Sequence, residues 1–287
     1  MTAEPSLSTL GEASTQPTLP AWMAEITGVV LDMDGVLFRG NTLIPEVPAF
    51  LAALDRRGIR WAMATNNSTA MSEDYVTKLA AMGVTTTAEH VITSGAATAT
   101  WVRQRYAQGT RVFVVGSPAL RSAVFADDYF VPAERDAEVV ISGADFDLRY
   151  DSLRIACLAI RAGATWVATN ADRTFPSEEG LIPGAGALVA ALAAATDRTP
   201  TVIGKPGPEL VQSSMLIIGT PAEETLMIGD RLDTDILSGA RAGCRTALVL
   251  TGVSTRADAE TGEITPDLVV ETLTPLTDFW SRSDGAA

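Results

Sequence analysis

Short apolar runs alternate with helix-like patterns along most of the chain. Residues 29–31, Val-Val-Leu, form a run with β-branched side chains that predicts a buried strand of a parallel sheet. In 45–58 the apolar residues recur at helical spacing, and Gly58 suits the C-terminal end of that helix. Residues 59–64 then predict a second strand. This alternation predicts an α/β fold with a Rossmann-like, doubly wound parallel sheet.

The alternation continues beyond this first unit. Further strands are predicted at 111–115, 138–142, 165–169, 201–203, 226–228, 247–250 and 268–270. Further helices are predicted at 72–82, 94–107, 118–125, 152–162, 185–195, 208–218 and 275–280, and one more is predicted where Leu232, Ile236, Ala240 and Gly243 share a helical face. The series from 102 to 199 forms a second α/β unit. We therefore expect a core of 21–101 plus 200–287 with an inserted domain at 102–199, and the strand at 201–203 as the return to the core.

Composition limits the classes of partner. The chain has 287 residues, of which 47% are hydrophobic, and its net charge is −14. So acidic a protein is a poor partner for nucleic acid or an anionic membrane surface, because both are polyanions. No apolar run reaches the roughly 18 residues of a membrane-spanning helix. Residues 1–20 are rich in Ser, Thr and Pro and lack Lys and Arg, which predicts a disordered tail rather than a signal peptide.

The two cysteines and the one histidine narrow the chemistry further. Cys157 and Cys244 lack metal-ligand spacing and fit a reducing compartment, so we expect a cytoplasmic protein. A single histidine excludes a histidine-based zinc site. A Ser-His-Asp triad would have to use His90, whose neighbours show no elbow around a nucleophile. We expect a surface or capping role for His90, and carboxylates as the catalytic groups if the protein is a hydrolase.

A pair of carboxylates follows the first predicted strand. Asp32 and Asp34 lie two residues apart, and Gly35 follows them. In open α/β sheets, ligands bind beyond the carboxyl ends of the strands. Two acids in such a place favour a cation between them, and Mg²⁺ prefers oxygen ligands. The simpler interpretation is an Asp-Gly turn after a strand, but the full pattern D-x-D-G-V-L is more specific than that.

Three other predicted strands also end in polar segments. Thr65, Asn66 and Asn67 precede a helix and could cradle an anion, although a polar loop with a helix cap would look similar. Lys205 is held between Gly and Pro after the strand at 201–203, where a flexible surface lysine is unexpected. The last segment contains the acids Asp230, Asp233 and Asp235. Helix-dipole effects explain Asp233 well but explain Asp230, at the strand end, poorly.

These four segments occur in the order found in the haloacid dehalogenase-like superfamily, and the chain from 26 to about 250 resembles that family. The segments ATN-x-D and GDRL-x-TDI are similar to a capped phosphatase subgroup. This subgroup includes p-nitrophenyl phosphatases, phosphoglycolate and pyridoxal phosphate phosphatases, and bacterial nucleotide or glycerol phosphate phosphatases. The resemblance implies that the inserted domain is a cap over the active site.

The resemblance also implies roles for the acids. Asp32 would be the nucleophile, and Asp34 the general acid and base. Mg²⁺ would be bound by Asp32, by the main-chain carbonyl of Asp34 and by Asp230. Asp235 would orient the lysine or a metal-bound water, and Asp233 matches a variable position.

The remaining implied roles concern the phosphate and the alcohol of the substrate. Lys205, Thr65 and Asn66 would hold the phosphoryl oxygens, with Asn67 in support. Residues 170–186, rich in Pro and Gly, predict a long polar loop in the inserted domain. Because the groups named above meet only the phosphate, we expect substrate choice in the part of this loop at 171–179, through Asp172, Arg173 and Phe175. The alternative is that Phe175 packs in the core of the inserted domain and Asp172 caps a turn.

The sequence thus predicts a Mg²⁺-dependent phosphatase that hydrolyses small phosphate monoesters of sugar, polyol or glycerol type through an aspartyl-phosphate. Phosphoglycolate, a nucleoside monophosphate and pyridoxal phosphate remain alternative substrates. Two other classes stay open: a phospho-aspartate signalling module and a catalytically silent ligand-binding homologue. The acid pair and the large insertion favour the enzyme. The expected partner is a small-molecule phosphate ester, and a homodimer is left open beside a monomer.

Overall fold

The computed structural model describes residues 19–177 and 179–282. The tail predicted at 1–20 lies outside the described residues except for Leu19 and Pro20, and so does Glu178 in the predicted loop. Within the described ranges, helices flank two separate parallel sheets.

The strands, in chain order, are β1 (Gly28–Leu31), β2 (Phe38–Arg39), β3 (Thr42–Leu43), β4 (Arg60–Thr65), β5 (Val91–Thr93), β6 (Arg111–Val115), β7 (Val131–Pro132), β8 (Val139–Ser142), β9 (Thr165–Ala168), β10 (Thr174–Ser177), β11 (Gly180–Pro183), β12 (Thr201–Val202), β13 (Thr225–Gly229), β14 (Arg245–Val249) and β15 (Leu268–Val270). The α-helices are α1 (Val47–Arg57), α2 (Ser72–Ala81), α3 (Ser94–Arg103), α4 (Pro118–Val124), α5 (Tyr150–Arg161), α6 (Ala185–Thr196), α7 (Glu209–Ile218), α8 (Leu237–Ala242), α9 (Arg256–Thr261) and α10 (Thr274–Ser281). No helix in the described ranges has the length and apolar character needed to cross a membrane.

The first sheet confirms the predicted α/β fold. Its strand order is β15-β14-β13-β1-β4-β5, and every neighbouring pair is parallel. Strand β1 lies in the interior, where Val30 is in register with Met227 of β13 and Ala62 of β4. All four residues of β1 are buried. A strand covered on both faces has no solvent side, which explains why its sequence is a continuous apolar run.

The second sheet is built from the middle of the chain. Its order is β12-β9-β8-β6-β7, again parallel throughout. The prediction that 201–203 returns to the core sheet was wrong, because Val202 of β12 pairs with Ala168 of β9. The chain adds this short edge strand to the second sheet before it crosses back at Gly204.

The carboxyl ends of the two sheets face each other. The Ser117 hydroxyl, just after β6, donates to the Ser68 carbonyl in the loop after β4, at 2.8 Å. The Thr169 hydroxyl, at the end of β9, donates to Ser68 Oγ at 3.1 Å. Gly143, after β8, allows this approach, since a Cβ there would lie 3.0 Å from Ser68 Oγ. Polar loops from both sheets therefore meet at one edge of the core.

The segment predicted as a long polar loop, 170–186, contains a hairpin instead. Strands β10 and β11 pair antiparallel, with Phe175 opposite Ile182. The prediction was wrong because the Pro and Gly residues of the segment hid two short stretches of strand-forming residues. His90 has a packing role: its ring is partly buried and stacks on Trp61, with centroids 4.0 Å apart.

Candidate active site

The four predicted segments come together at the carboxyl edge of the core sheet. Asp32 follows β1, Thr65 ends β4, and Asp230 follows β13. Because β1 lies between β13 and β4, these three strand ends are neighbours. Lys205 reaches the same place from the segment that leaves β12.

Lys205 is buried among acceptors. Its ammonium forms ion pairs with the Asp32 carboxylate and, at 2.7 Å, with Asp235 Oδ1, and it donates to the Ala64 carbonyl at 3.1 Å. Burial on its own would lower the pKa of Lys205, but the carboxylates of Asp235 and Asp32 outweigh it and hold that pKa above its usual value. Lys205 is therefore a permanent cation in the centre of the site.

Three buried acids surround this cation. Carboxylate oxygens of Asp32, Asp230 and Asp235 all lie within 4.8 Å of one another. Burial raises the pKa of Asp32 well above its ordinary value, with Lys205 acting in the opposite direction. Burial, and then the charge of Asp235, raise the pKa of Asp230 to about 6. Three ionised carboxylates with one ammonium leave a charge of −2, so the cluster could hold a divalent metal ion.

The backbone of a neighbouring loop passes close to Asp230 and fixes its carboxylate. Its Oδ2 accepts a hydrogen bond from the Val253 amide at 2.7 Å. Gly252 passes so close that a Cβ there would lie 1.9 Å from the same oxygen. Gly35, with φ of 83°, makes a similar approach from the other side, at 2.5 Å. Only glycine permits both the turn and the close contact at this second position.

A wide turn places Asp235. Residues 232–236 form a π-helical turn ahead of α8, where the sequence predicted one regular helix. The Asp235 amide donates to the Arg231 carbonyl at 3.0 Å, and Asp235 Oδ2 accepts from the Arg231 amide at 3.1 Å. Asp233 is exposed and forms an ion pair with the Arg231 guanidinium at 3.0 Å. Such turns often occur at functional sites. In this one, Asp235 is buried in the site while Asp233 is exposed.

Asp34 lies at the rim, on the loop that follows β1. Its side chain reaches the surface, and the Gly35 amide behind it donates to the Phe38 carbonyl at 2.8 Å. The surrounding protein removes enough water to raise the pKa of the Asp34 carboxyl, against the charges of Lys78 and Lys205. A carboxyl of raised pKa carries its proton more readily at neutral pH, which suits an acid catalyst.

Thr65 and Asn67 stabilise the loop after β4. The Asn67 amide donates to Thr65 Oγ1 at 3.2 Å. The Asn67 side chain donates to the Tyr75 hydroxyl at 2.8 Å and accepts from the Thr69 amide at 2.7 Å. Tyr75, buried on α2, was missed in the sequence, where it was indistinguishable from an ordinary core residue.

The Asn66 side chain links the two sheets. Its Oδ1 accepts from the Lys205 amide at 2.8 Å, and its Nδ2 donates to the Lys205 carbonyl at 2.9 Å. The same Nδ2 lies 3.1 and 3.2 Å from the carboxylate oxygens of Asp172. Burial raises the pKa of Asp172, and the bond from Asn66 opposes the rise. Among the three residues predicted to select substrate, Asp172 thus contacts a core segment directly.

The other two residues of that set lie further out on the hairpin side. Arg173 is exposed. The Phe175 ring packs edge-to-face against Phe146, with centroids 5.3 Å apart at 62°. Phe146 comes from the loop after β8, is 56% exposed, and was missed in the sequence. An aromatic residue in a polar loop at a strand end is the signal that could have identified it.

Comparison with known proteins gives one consistent family. Residues 29–129 match the family model of haloacid dehalogenase-like hydrolases, and 202–276 match a second HAD-hydrolase-like model. A 5'-nucleotidase of Bacillus subtilis is 34% identical over 88% of this chain and 98% of its own. An acid sugar phosphatase of Staphylococcus aureus is 34% identical over 85% of this chain and 94% of its own.

A solved structure agrees with these relatives. The 4-nitrophenylphosphatase from Thermotoga maritima superposes with a TM-score of 0.83, is 38% identical, and covers 90% of this chain and 98% of its own. The predicted fold and the predicted enzyme class, a hydrolase, are confirmed. Identities of 34% and 38% sustained over nearly the whole length of these proteins support a single assignment: the chain belongs to the haloacid dehalogenase-like hydrolases.

Proposed function

We propose that this hydrolase is a Mg²⁺-dependent phosphatase that cleaves small phosphate monoesters through an aspartyl-phosphate on Asp32. The observation that carries the proposal is the contact of one buried lysine with two carboxylates in a cluster whose ionised charge is −2. The relatives are named for nitrophenyl phosphate, sugar phosphate and nucleotide hydrolysis, which supports a monoester as the substrate.

Asp32 performs the first step. One carboxylate oxygen is engaged by Lys205, which fixes the group at the strand end and leaves the second oxygen to attack phosphorus. An O–P bond forms as the bond from phosphorus to the ester oxygen breaks. Asp34 transfers its proton to the departing oxygen, so that an alcohol rather than an alkoxide leaves.

The second step restores the enzyme. Asp34, now ionised, accepts a proton from a water molecule that attacks the aspartyl-phosphate. The bond between Asp32 and phosphorus breaks, and inorganic phosphate leaves. The proton that Asp34 takes from water replaces the proton that it gave to the alcohol, so the cycle needs no co-reactant other than water.

Asp32, Asp230 and the main-chain carbonyl of Asp34 would hold Mg²⁺. The fit rests on the charge of the acid cluster and on its oxygen-only donors, which suit a hard cation. When bound, Mg²⁺ supplies positive charge to the phosphoryl oxygens. Lys205 supplies the protein's own positive charge at the same place, and Thr65 with the Asn66 backbone would donate to the remaining oxygens. This local charge matters because the chain as a whole, at −14, repels anions.

Substrate choice is assigned to residues around the hairpin. We place Asp172, Arg173 and Phe175 there, as the sequence predicts, and add Phe146 because its ring contacts Phe175. The proposal includes a cap over the core, predicted at 102–199 and extended here by β12, and the bond from Asn66 to Asp172 supports it. The proposed substrates are small sugar or polyol phosphates, with glycerol phosphate and phosphoglycolate as candidates. A cytoplasmic location agrees with two cysteines that are both free.

The test is hydrolysis of p-nitrophenyl phosphate with and without Mg²⁺. Asp32→Asn should lower kcat by at least about 10³-fold, because the nucleophile and a metal ligand are lost together. Asp233→Asn is the matched control: it removes an acid from the same site region, but one that is exposed and paired with Arg231. It should stay within about twofold of wild type. Near-normal turnover by Asp32→Asn, with Mg²⁺ binding retained in calorimetry, would falsify the nucleophile assignment.

A further inference from the structure

Lysine is used sparingly in this chain. The sequence contains two lysines, Lys78 and Lys205, among 21 basic residues. Lys205 is the buried cation already described. Lys78 lies near the C-terminal end of α2 and is half-buried. Its ammonium lies 3.9 Å from the centroid of the Phe38 ring.

The Phe38 ring fixes the position of the Lys78 charge. Phe38 belongs to the loop that begins at Asp34: the two residues form a β-bridge, and the Gly35 amide donates to the Phe38 carbonyl. An ammonium over this ring is therefore held beside the Asp34 loop. One turn earlier on α2, Tyr75 accepts a hydrogen bond from Asn67. Residues three apart on a helix share a face, so this face of α2 lines the site.

The two lysines differ in what neutralises them. The charge of Lys205 is matched by Asp32 and Asp235. For Lys78, no carboxylate within 4.0 Å is found among residues 19–177 and 179–282. Its charge is felt at Asp34, whose pKa it lowers against the effect of burial. The rim of the site thus holds a second cation, and the charge of this ammonium could be paired with an anion of the substrate.

The proposed reaction indicates which part of the substrate would carry that anion. Asp34 gives its proton to the ester oxygen, so the rest of the leaving alcohol extends past Asp34 toward the rim. Lys78 is fixed on that side. A carboxylate or a second phosphate on the alcohol would meet an unneutralised ammonium there, in a protein that otherwise repels it.

We propose that Lys78 binds an anionic group on the leaving alcohol and gives the enzyme a preference for phosphate esters that carry one. The inference rests on the proposed phosphatase function. It assigns part of the substrate choice to the core, where the sequence pointed to the hairpin alone. Lysine suits the role, because a compact ammonium with three rotatable donors can bind either kind of anion.

The experiment compares three esters with one skeleton: 2-phosphoglycolate, ethylene glycol bisphosphate and 2-hydroxyethyl phosphate, which is the neutral member. The quantity measured is the ratio of kcat/KM for each anionic ester to kcat/KM for the neutral one. Lys78→Met keeps an unbranched side chain over Phe38 but removes the charge. It should lower the ratio about tenfold or more, as expected for a lost charge contact in a partly shielded site.

Two further variants make the result specific. Lys78→Arg keeps the charge and should hold the ratio within about threefold of wild type. Arg105→Met also removes a cation stacked on an aromatic ring, that of Trp101 at 3.9 Å. Arg105 follows α3, whose first residue, Ser94, bonds Asn66 at the site, so Arg105 lies at the far end of that helix. This control should leave the ratio unchanged.

Each outcome decides the matter. A ratio that falls for 2-phosphoglycolate alone identifies a carboxylate as the ligand, and one that falls for the bisphosphate alone identifies a phosphate. Equal losses on all three esters in Lys78→Met show that the residue acts only through the Asp34 loop and overturn the inference. Wild type that also fails to hydrolyse p-nitrophenyl phosphate with Mg²⁺ overturns the proposed function, whereas wild type that hydrolyses p-nitrophenyl phosphate but none of the three esters overturns only this inference, so the two failures are distinguishable.

Discussion

Removing the buried cation is the perturbation whose consequence the structure defines most sharply. Lys205→Met keeps an unbranched side chain in the cavity but takes away the ammonium that contacts Asp32 and Asp235. Asp230 lies in the same cluster. In the absence of metal, the variant therefore holds three buried acids without their cation.

The expected loss is large on the scale of protein stability. Breaking a buried ion pair by deleting one partner costs about 3–5 kcal/mol, against a total unfolding free energy of about 5–15 kcal/mol. The direction in which this stability loss changes with pH also follows. Asp32 and Asp230 have folded-state pKa values above those of the unfolded chain, so the folded protein binds their protons more tightly. Protonation relieves the repulsion, and the loss should be smaller at pH 5 than at pH 8.

The assay is urea unfolding of variant and wild type in EDTA at both pH values, with the difference between them taken at each pH. Lys78→Met is the matched control, since it removes the other lysine, which has a ring rather than a carboxylate as its contact. It should cost less than about 1 kcal/mol. Added Mg²⁺ should restore part of the loss in Lys205→Met, because binding to the folded state alone is stabilising. Equal urea midpoints for Lys205→Met and wild type at pH 8, or a larger loss at pH 5, would refute this reasoning.

Two further predictions concern the acids. Asp34→Asn should reduce kcat on glycerol phosphate about 10²-fold more than on p-nitrophenyl phosphate, whose phenolate leaves without a proton; equal losses on the two would remove Asp34 from proton transfer. Because metal binding requires the Asp230 carboxylate, whose metal-free pKa is about 6, the Kd for Mg²⁺ measured by calorimetry should rise by up to about tenfold for each pH unit below 6. A Kd that is constant from pH 7 to pH 5 would contradict the second prediction.

The strand-end rule explains how much of the site was predictable. Asp32, Thr65 and Asp230 each follow an apolar run that could only be a buried strand, and parallel strands bring their carboxyl ends to one edge. The sequence could therefore place these residues together without knowing the strand order. The regular helices were predictable for a similar reason: apolar spacing and Gly58 gave α1, and α7 was also predicted to within two residues.

The remaining features depend on contacts between distant segments. Strand β12 has two residues, too few for a pattern to assign it to a sheet, and its place is set by its pairing with β9. The two strands of the hairpin are four residues each, and the Pro and Gly residues around them favour a loop in any local pattern. The π-helical turn at 232–236 has an apolar spacing that fits an ordinary helix equally well. In each case the deciding interaction lies outside the segment.

The choice of lysine at position 205 shows how the buried site constrains residue type. An ammonium has three donors, and the structure offers three acceptors: Asp32, Asp235 Oδ1 and the Ala64 carbonyl. A guanidinium would bring five donors in a rigid plane to the same three acceptor groups, and each donor buried without a partner costs about 1–3 kcal/mol. A chain that uses arginine for most of its basic residues thus has a physical reason to use lysine here. The exchange Lys205→Arg, conservative in charge, should for this reason be nearly as damaging as the loss of the charge itself.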